Sequence, residues 1–343
     1  MDAVRTVDWH GLAATRRVVK AAVVLALVLR LLFALLYWVD KPLTRDEREY
    51  LSLAASLSEG RGFVYSTDGV RVSEQAGRAP FYPLFLAGLM KVDASATERS
   101  SAAPVSVRIA QSVLGAAGVW LIAMIASRGA GPASGAMAAI LAAVYPPLVW
   151  ISAYVLSESL YLMLALASVL TFDLAFSDSV GGAADRRSRR RVGLAWASGL
   201  LTGAAALTRP AMLVFLLLAV VWLSLKRRIT GALVLALGAA VLVAPWTLRN
   251  LHEHGRFVLI AAEGGVTFWT GNHPLASGEG DLAANPALKR ANLELRSQFP
   301  GLTAEEMEPV YYRDAFGYIS QDPVWWVGLL VRKFFYTWVP VGP

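Results

Sequence analysis

Two carboxylates stand side by side at positions 46 and 47, in the stretch TRDERE that follows the first long apolar run. Asp46 could accept the proton of an attacking hydroxyl, because a positioned carboxylate can act as a general base. Glu47 has a second interpretation, since Thr44 and Glu47 have the T-x-x-E spacing of a capping box. The pair therefore predicts the start of a helix and leaves open whether one or both acids also take part in chemistry.

A cation that could hold phosphate follows the acids along the chain. Arg78 precedes FYPLFLAG, an apolar stretch that includes Tyr82 and is too short to span a bilayer. Such a stretch is typical of a segment that rests in the membrane interface. A guanidinium can bind phosphate through two parallel hydrogen bonds. Acid, guanidinium and interfacial stretch together indicate a reaction on a lipid-linked substrate, with Arg78 and Tyr82 on the donor side.

Further cations lie at the ends of apolar runs or inside them. Arg209 and Arg249 fall at predicted helix ends, where a snorkelling side chain is the alternative to a phosphate contact. Arg332 and Lys333 are adjacent within an apolar run, and contact with lipid phosphate is one of their two interpretations. Arg30 lies inside the first run, a costly position for a charge that predicts a neighbouring cavity or partner.

The histidine-containing turns suggest weaker candidates. Asn272 and His273, in GNHP, could contact the sugar or the acceptor, with a turn role as the alternative. His252 and His254 do not have the HExxH spacing of a zinc site, so a polar loop is the favoured interpretation. The sequence indicates no particular cofactor and leaves a divalent metal open.

The chain that carries these residues is strongly apolar. It has 343 residues, 56% of them hydrophobic and 17% charged, whereas a soluble domain carries about 25% charged residues. The absence of Cys excludes a disulfide framework, a thiolate nucleophile and a cysteine zinc site. The net charge of +7 is concentrated in short loops between apolar runs, which indicates a membrane protein and not a nucleic-acid-binding one.

Eight runs approach the roughly 20 apolar residues that a spanning helix needs. They cover about 19–39, 105–126, 134–154, 157–176, 193–208, 211–225, 229–248 and 323–340. Pro210 predicts a tight turn between the fifth run and the sixth. The first run is expected to remain as an anchor, because no small-residue cleavage site follows it.

Short basic loops predict the orientation. Basic clusters occur in residues 1–18, in DRRSRRR after the fourth run, which is interpreted as a loop, and in KRR after the sixth. All three fall on one side if the N-terminus is cytoplasmic. Residues 40–104 and 249–322 are then two long outer loops, with spans two to seven in 105–248 and a last segment in 323–343. No GxxxxGK[ST] motif occurs, so ATP-driven work is not expected.

The order of the motifs resembles that of a known enzyme family. TRDEREYLSLAASLSEGRGF followed by RAPFYPLFLAG is similar to the first outer loop of the GT-C membrane glycosyltransferases, family 39, which contains the protein O-mannosyltransferases and bacterial aminoarabinose transferase. The likeness runs from about residue 20 to the end, through VRIAQSVLG, YPPLVWISAYVLSESLY, LTRPAMLVFLLL, APWTLRNLHEHGRFVLI and GGVTFWTGNHPLASG.

The resemblance implies an all-α polytopic GT-C bundle in the bacterial inner membrane. Such enzymes pass a sugar from a polyprenyl-phosphate donor to a lipid, glycan or protein acceptor outside the cytoplasm, with inversion. Asp46 would be the catalytic base, Glu47 would support it or cap the helix, and Glu158 would be a second acid facing the same cavity. Family members commonly continue through several more spans, which is a departure of this chain from the pattern.

Two other functions remain open on the residues alone. A secondary transporter predicts inverted repeats and broken helices, and the sequence contains no convincing internal repeat. A non-catalytic membrane subunit would not need Asp46, Arg78 and Glu158 in one outer region.

Overall fold

The computed structural model describes residues 9–67, 70–73, 77–92, 102–177, 184–278 and 285–338. The all-α prediction holds there with one exception, an antiparallel hairpin of β1 (Tyr65–Thr67) and β2 (Val70–Ser73). The helices are α1 (Trp9–Leu32, continued by a π-helical turn, Phe33–Tyr37), α2 (Arg45–Ser58), α3 (Phe81–Val92), α4 (Val105–Ala130), α5 (Pro132–Val144), α6 (Pro146–Trp150, continued by a 3₁₀ turn, Ile151–Ala153), α7 (Glu158–Phe176), α8 (Ala184–Thr208), α9 (Met212–Leu225), α10 (Ile229–His254), α11 (Gly264–Asn272), α12 (Pro286–Ser297), α13 (Ala304–Gln321) and α14 (Pro323–Tyr336).

The chain divides into two compact units. The first consists of Met1–Glu74 and Ala79–Ile260, and the second of Gln75–Arg78 and Ala261–Pro343. The first unit contains α1 to α10, and the second contains α11 to α14. Residues 1–8 of the predicted cytoplasmic segment, residues 93–101 of the first predicted outer loop, residues 279–284 of the second and residues 339–343 of the last predicted segment lie outside the described residues.

Four helices in the described part of the chain are long and apolar enough to cross a membrane. They are Ala14–Tyr37, Val105–Ala130, Glu158–Phe176 and Ile229–His254. A fifth span results if α5 and α6, which are bent by 65° from one another, count as one. At most 39% of the most apolar window in each of the four is buried, so apolar side chains face outward, as lipid-facing helices require. The chain is therefore a membrane protein.

Eight spans are expected from the sequence, whereas four or five described helices are both long enough and apolar enough to cross a membrane. Helix α9 has 14 residues, and at about 1.5 Å per residue it falls short of a hydrocarbon core of about 30 Å. Helix α14 also has 14 residues and includes Arg332 and Lys333. Helix α8 includes the whole basic stretch DRRSRRR in its first part. A membrane crossing by any of these three helices remains a prediction.

The boundaries differ from the expected ones in two places. The basic stretch DRRSRRR was expected to be a loop, and that prediction is wrong, because it is the first part of α8. Arg is a good helix former, so a run of Arg can begin a helix as well as separate two. Helix α10 continues six residues beyond 248, to His254, and ends before Gly255, whose φ of +63° is the left-handed conformation usual after a helix.

The third expected span is broken at Tyr145 by two prolines. Pro146 and Pro147 have no N–H, so the carbonyls of Ala142 and Ala143 lose their helical donors. Arg30 replaces both donors, because its guanidinium lies 3.4 Å from each carbonyl oxygen. It also donates to the carbonyl of residue 26 in its own helix, at 3.0 Å. Arg30 is 1% exposed, and this capping role accounts for its burial.

Small residues let α8 and α10 pack closely. Gly199 and Gly203 form a GxxxG pattern on α8, which is typical of close helix contacts in membranes. A Cβ at Gly199 would overlap the carbonyl oxygen of Leu235, and one at Gly203 would lie 2.8 Å from that of Ala239. Hydrogen bonds between Ser168 of α7 and the hydroxyl groups of Ser198 and Thr202 join α7 to α8. These contacts fix the ends of α7, α8 and α10 relative to one another.

Candidate functional site

Helix α2 starts with the capping box that the sequence predicts. The backbone N–H of Thr44 donates to Glu47 Oε2 at 2.8 Å, and the N–H of Glu47 donates to Thr44 Oγ1 at 3.4 Å. After the helix, Gly60 adopts a φ of +75°, the left-handed conformation that is usual after a helix end. The capping prediction is confirmed.

Glu47 also joins α2 to a distant part of the chain. Its second oxygen, Oε1, accepts the backbone N–H of Val155 at 2.8 Å, and Glu47 is only 2% exposed. Both carboxylate oxygens therefore accept backbone hydrogen bonds, which indicates a structural role for this acid. Asp46, one residue earlier on the same turn, is exposed. Because Glu158 follows Val155 by three residues, the contact brings the start of α2 to the start of α7.

Glu158 forms an ion pair with Arg209 at this end of the helices. Arg209 Nη2 lies 2.6 Å from Glu158 Oε1, and Arg209 Nε donates to Ser157 Oγ at 3.0 Å. The other oxygen of Glu158, Oε2, is buried and accepts no hydrogen bond from the described residues. The two side chains are 32% and 45% exposed, so the pair is reachable from solvent.

Tyr82 is buried close to these acids. Its hydroxyl donates to Gln111 Oε1 at 3.2 Å, and its ring meets that of Tyr50 edge to face. Burial raises the pKa of Tyr82 well above its usual value, and Tyr50, Glu158 and Glu47 add to the shift. The phenol is therefore neutral and acts as a hydrogen-bond donor within the protein. Its predicted part in donor binding remains a prediction.

Sequence reasoning missed Gln111, which lies with Arg108 on a buried polar face of α4 that positions this region. Gln111 is completely buried and donates to the carbonyl of Tyr154, just before Val155. Arg108, one turn earlier, donates to the carbonyls of Ala34, at 2.6 Å, and Trp38, at 3.3 Å. The spacing of three residues between Arg108 and Gln111 in an apolar helix was the available signal, because it places both on one face.

Arg249 lies over aromatic rings near the end of α10. Its guanidinium carbon is 5.0 Å from the ring centre of Trp246 and 5.9 Å from that of Phe63. Nη1 donates to Asn250 Oδ1 and lies 3.3 Å from His254 Nε2. These contacts explain its position without a phosphate, and the predicted phosphate contact remains a prediction.

In the second unit, His273 and Asn272 make turn contacts. His273 is 8% exposed, lies between the rings of Trp269 and Tyr318, and accepts the N–H of Leu275 on Nδ1 at 3.1 Å. Burial lowers the pKa of His273, and Asp314 opposes the shift. Asn272 Oδ1 accepts the indole N–H of Trp326 at 2.9 Å. Sugar or acceptor contact by this pair remains a prediction.

The remaining predicted cations also belong to the second unit. Arg78 Nε lies 3.6 Å from Glu263 Oε1. Arg332 and Lys333 lie on α14, where their side chains approach Gly278 and Gly271. The predicted lipid-phosphate contacts of all three remain predictions. Within the described residues, no group of three or more His, Asp or Glu side chains is placed to hold a metal ion.

The structure thus brings a set of predicted residues together in the first unit: Glu47, Tyr82, Glu158 and Arg209. Asp46 adjoins this set as the residue before Glu47. Arg30 and Arg249 belong to the same unit but have other partners. No family model, curated protein or solved structure matches this chain. The resemblance to the GT-C glycosyltransferases therefore remains a prediction.

Proposed function

We propose that this protein is a membrane glycosyltransferase that takes a sugar from a polyprenyl-phosphate donor and passes it to an extracytoplasmic acceptor with inversion. The observation that carries the proposal is that the two adjacent acids differ in their contacts and in their exposure to solvent. Glu47 caps α2 and holds the segment before Glu158. Asp46 is exposed on the same rigid turn and is not needed for the cap.

The reaction needs a base and a stabilised leaving group. The acceptor hydroxyl oxygen attacks the anomeric carbon and gives its proton to the Asp46 carboxylate. The bond between that carbon and the phosphate oxygen breaks, and its electron pair leaves with the polyprenyl phosphate. Negative charge grows on that phosphate, so a cation fixed near it contributes more in the transition state than in the ground state.

Arg209 is the cation that the first unit offers for this purpose. One of its terminal nitrogens is used by Glu158 and its Nε by Ser157, while Nη1 makes no hydrogen bond to the described residues. Because the side chain is 45% exposed, this edge of the guanidinium can meet a phosphate oxygen.

The test uses purified protein in lipid nanodiscs with a panel of radiolabelled polyprenyl-phosphate sugars. Transfer moves label from the organic phase into water or into an acceptor. We expect one donor to react with the wild type. The double variant Arg209→Gln/Glu158→Gln, which removes both charges of the pair, should lose most of this turnover. Arg256→Gln, an exposed change in the same unit, is the matched control. Lack of transfer with every donor would contradict the proposal.

The proposed orientation places the N-terminus in the cytoplasm of the bacterial inner membrane and the start of α2 outside. The basic clusters near the N-terminus, at the start of α8 and after α9 support it. Because the chain contains no Cys, a single introduced cysteine is the only thiol that a labelling reagent can modify. A cysteine at position 61 should react with an impermeant thiol reagent applied from outside, and one at position 190 should not. The reverse pattern would place the acids in the cytoplasm.

A secondary transporter is the second candidate, because one observation favours it. The 65° bend between α5 and α6 is a broken helix of the kind that transporters use. Solute flux into proteoliposomes without release of sugar from any lipid donor would support the transporter and contradict the transferase.

A further inference from the structure

A cavity of about 460 Å³ opens where α7 ends and α8 and α10 begin. This is the end of the helices opposite Glu158 and Arg209, since Glu158 starts α7 and Arg209 follows α8. Cavities of about 300–1,000 Å³ are large enough for small ligands. Its lining includes Arg191, Arg227 and Arg228, and none of the described residues that line it is acidic.

The three arginines make the cavity a site for an anion. The Nε of Arg191 is buried and has no hydrogen-bond partner among the described residues. Arg228 Nη1 donates to the carbonyl of Phe176 at 2.6 Å, which holds this side chain at the cavity wall. On α7, the nearby Asp173 is already paired with Arg128, so it does not neutralise the group.

The backbone next to the cavity also attracts an anion, because the N-terminus of α10 lies there. Arg227 has a φ of +55°, a left-handed conformation that glycine adopts far more readily than arginine. Helix α10 begins immediately afterwards, with no side-chain cap and no acid in its first turn. The first-turn residues line the cavity, and the N-terminus of a helix carries partial positive charge.

Apart from Thr230, the rest of the wall has no polar side chain. Phe176, Val192 and Val234 line the cavity beside the arginines. Gly231 permits the approach of the Phe176 ring, because a Cβ at Gly231 would lie 2.6 Å from Phe176 Cε1. Helices α7 and α10 are both long and apolar enough to cross a membrane, so their ends lie at a bilayer surface. A ligand that suits this lining has an anionic head and a hydrocarbon tail.

We infer that this cavity binds an anionic phospholipid, with the phosphate between Arg191, Arg227 and the first turn of α10 and an acyl chain along the apolar wall. Basic pockets between membrane helices bind acidic lipid headgroups in this way. The inference is independent of the proposed transferase activity, because it concerns the opposite ends of the helices.

Native mass spectrometry of the full chain in detergent tests the inference with three probes: phosphatidylglycerol, phosphatidylcholine and inorganic phosphate. We expect retention of one phosphatidylglycerol and much weaker retention of the other two. Arg191→Gln should weaken phosphatidylglycerol binding about fivefold, the size expected from one basic residue at a membrane surface. Arg190→Gln removes the same charge from the adjacent, exposed position and should change binding less than twofold.

Thr230→Glu separates loss of binding from loss of folding. An acid in the first turn of a helix is favourable for the helix, but here it would repel the phosphate. We expect unchanged thermal stability and about fivefold weaker lipid binding. Equal losses for Arg190→Gln and Arg191→Gln, or full binding by Thr230→Glu, would overturn the site. Binding of inorganic phosphate as tight as that of phosphatidylglycerol would overturn the lipid assignment.

Discussion

Helix α2 of the first unit and helix α13 of the second each begin with a threonine cap and a glutamate three residues later. In α2 the capping Glu47 is buried and the acid before it, Asp46, is exposed. In α13 the order is reversed, because Glu305 is buried and the capping Glu306 is only half-buried. The local motif fixes where a helix starts, while tertiary packing decides which of the two adjacent acids is buried.

The largest stability difference should separate the two capping glutamates. Glu47→Ala removes two backbone hydrogen bonds to a buried carboxylate and leaves the N–H of Val155 unpaired, which should cost about 3 kcal/mol. Glu306→Ala removes its half of the capping box of α13, which is worth about 1 kcal/mol. Thermal unfolding in detergent compares the two variants. Equal losses would show that Glu47 has no special structural role.

The threonines provide the control for this comparison. Thr44→Ala and Thr303→Ala each remove only the local half of a capping box, so each should cost about 1 kcal/mol. Unequal effects of the threonines would indicate that the difference between the glutamates reflects local helix stability and not the long-range contact with Val155.

Lowering the pH should cause a smaller loss of stability, and this loss should be confined to the second unit. Burial lowers the pKa of His273 below its usual 6.5, so the unfolded chain binds a proton before the folded chain does. Stability that is fully present above pH 6.5 is therefore lost as the pH falls below that value. Hydrogen exchange in α11 at pH 7.5 and pH 5.5 should show this loss in the wild type and less of it in His273→Gln.

Two acids of the second unit also affect the pH dependence of its stability. Asp314 opposes the shift, and burial raises the pKa of Glu308, which gives the opposite pH dependence. Both acids are present in the wild type and in His273→Gln, so the difference between the two isolates the histidine. An identical pH dependence in both proteins would show that His273 does not titrate in this range.

The sequence predicts local features well because their causes are local. The T-x-x-E box and the turn at Pro210 depend on residues within one helical turn. Features with distant partners could not be predicted. Arg30 indicated a buried partner, but its pairing with carbonyls freed by Pro146 and Pro147 depends on how α1 packs against α5. The run of Arg in DRRSRRR predicts a loop from its charge alone, whereas its helix propensity favours the helix that forms.

The same limit applies to the candidate site. Asp46, Glu47 and Glu158 were all candidate acids, yet the sequence did not show that Glu47 is used by the backbone of Val155, 108 residues away. Nor did it show that Glu158 pairs with Arg209. Those contacts are tertiary, and they change the role of each acid without changing any motif.

The turnover of Asp46→Asn, measured with the donor that the wild type uses, tests the central claim most directly. The change keeps the shape of the side chain and removes its ability to accept a proton. We expect turnover to fall about 100- to 10,000-fold with donor binding and thermal stability unchanged, while Glu49→Gln, an acid one turn later on α2, stays near wild-type turnover. Full turnover by Asp46→Asn would contradict the assignment of Asp46 as the base.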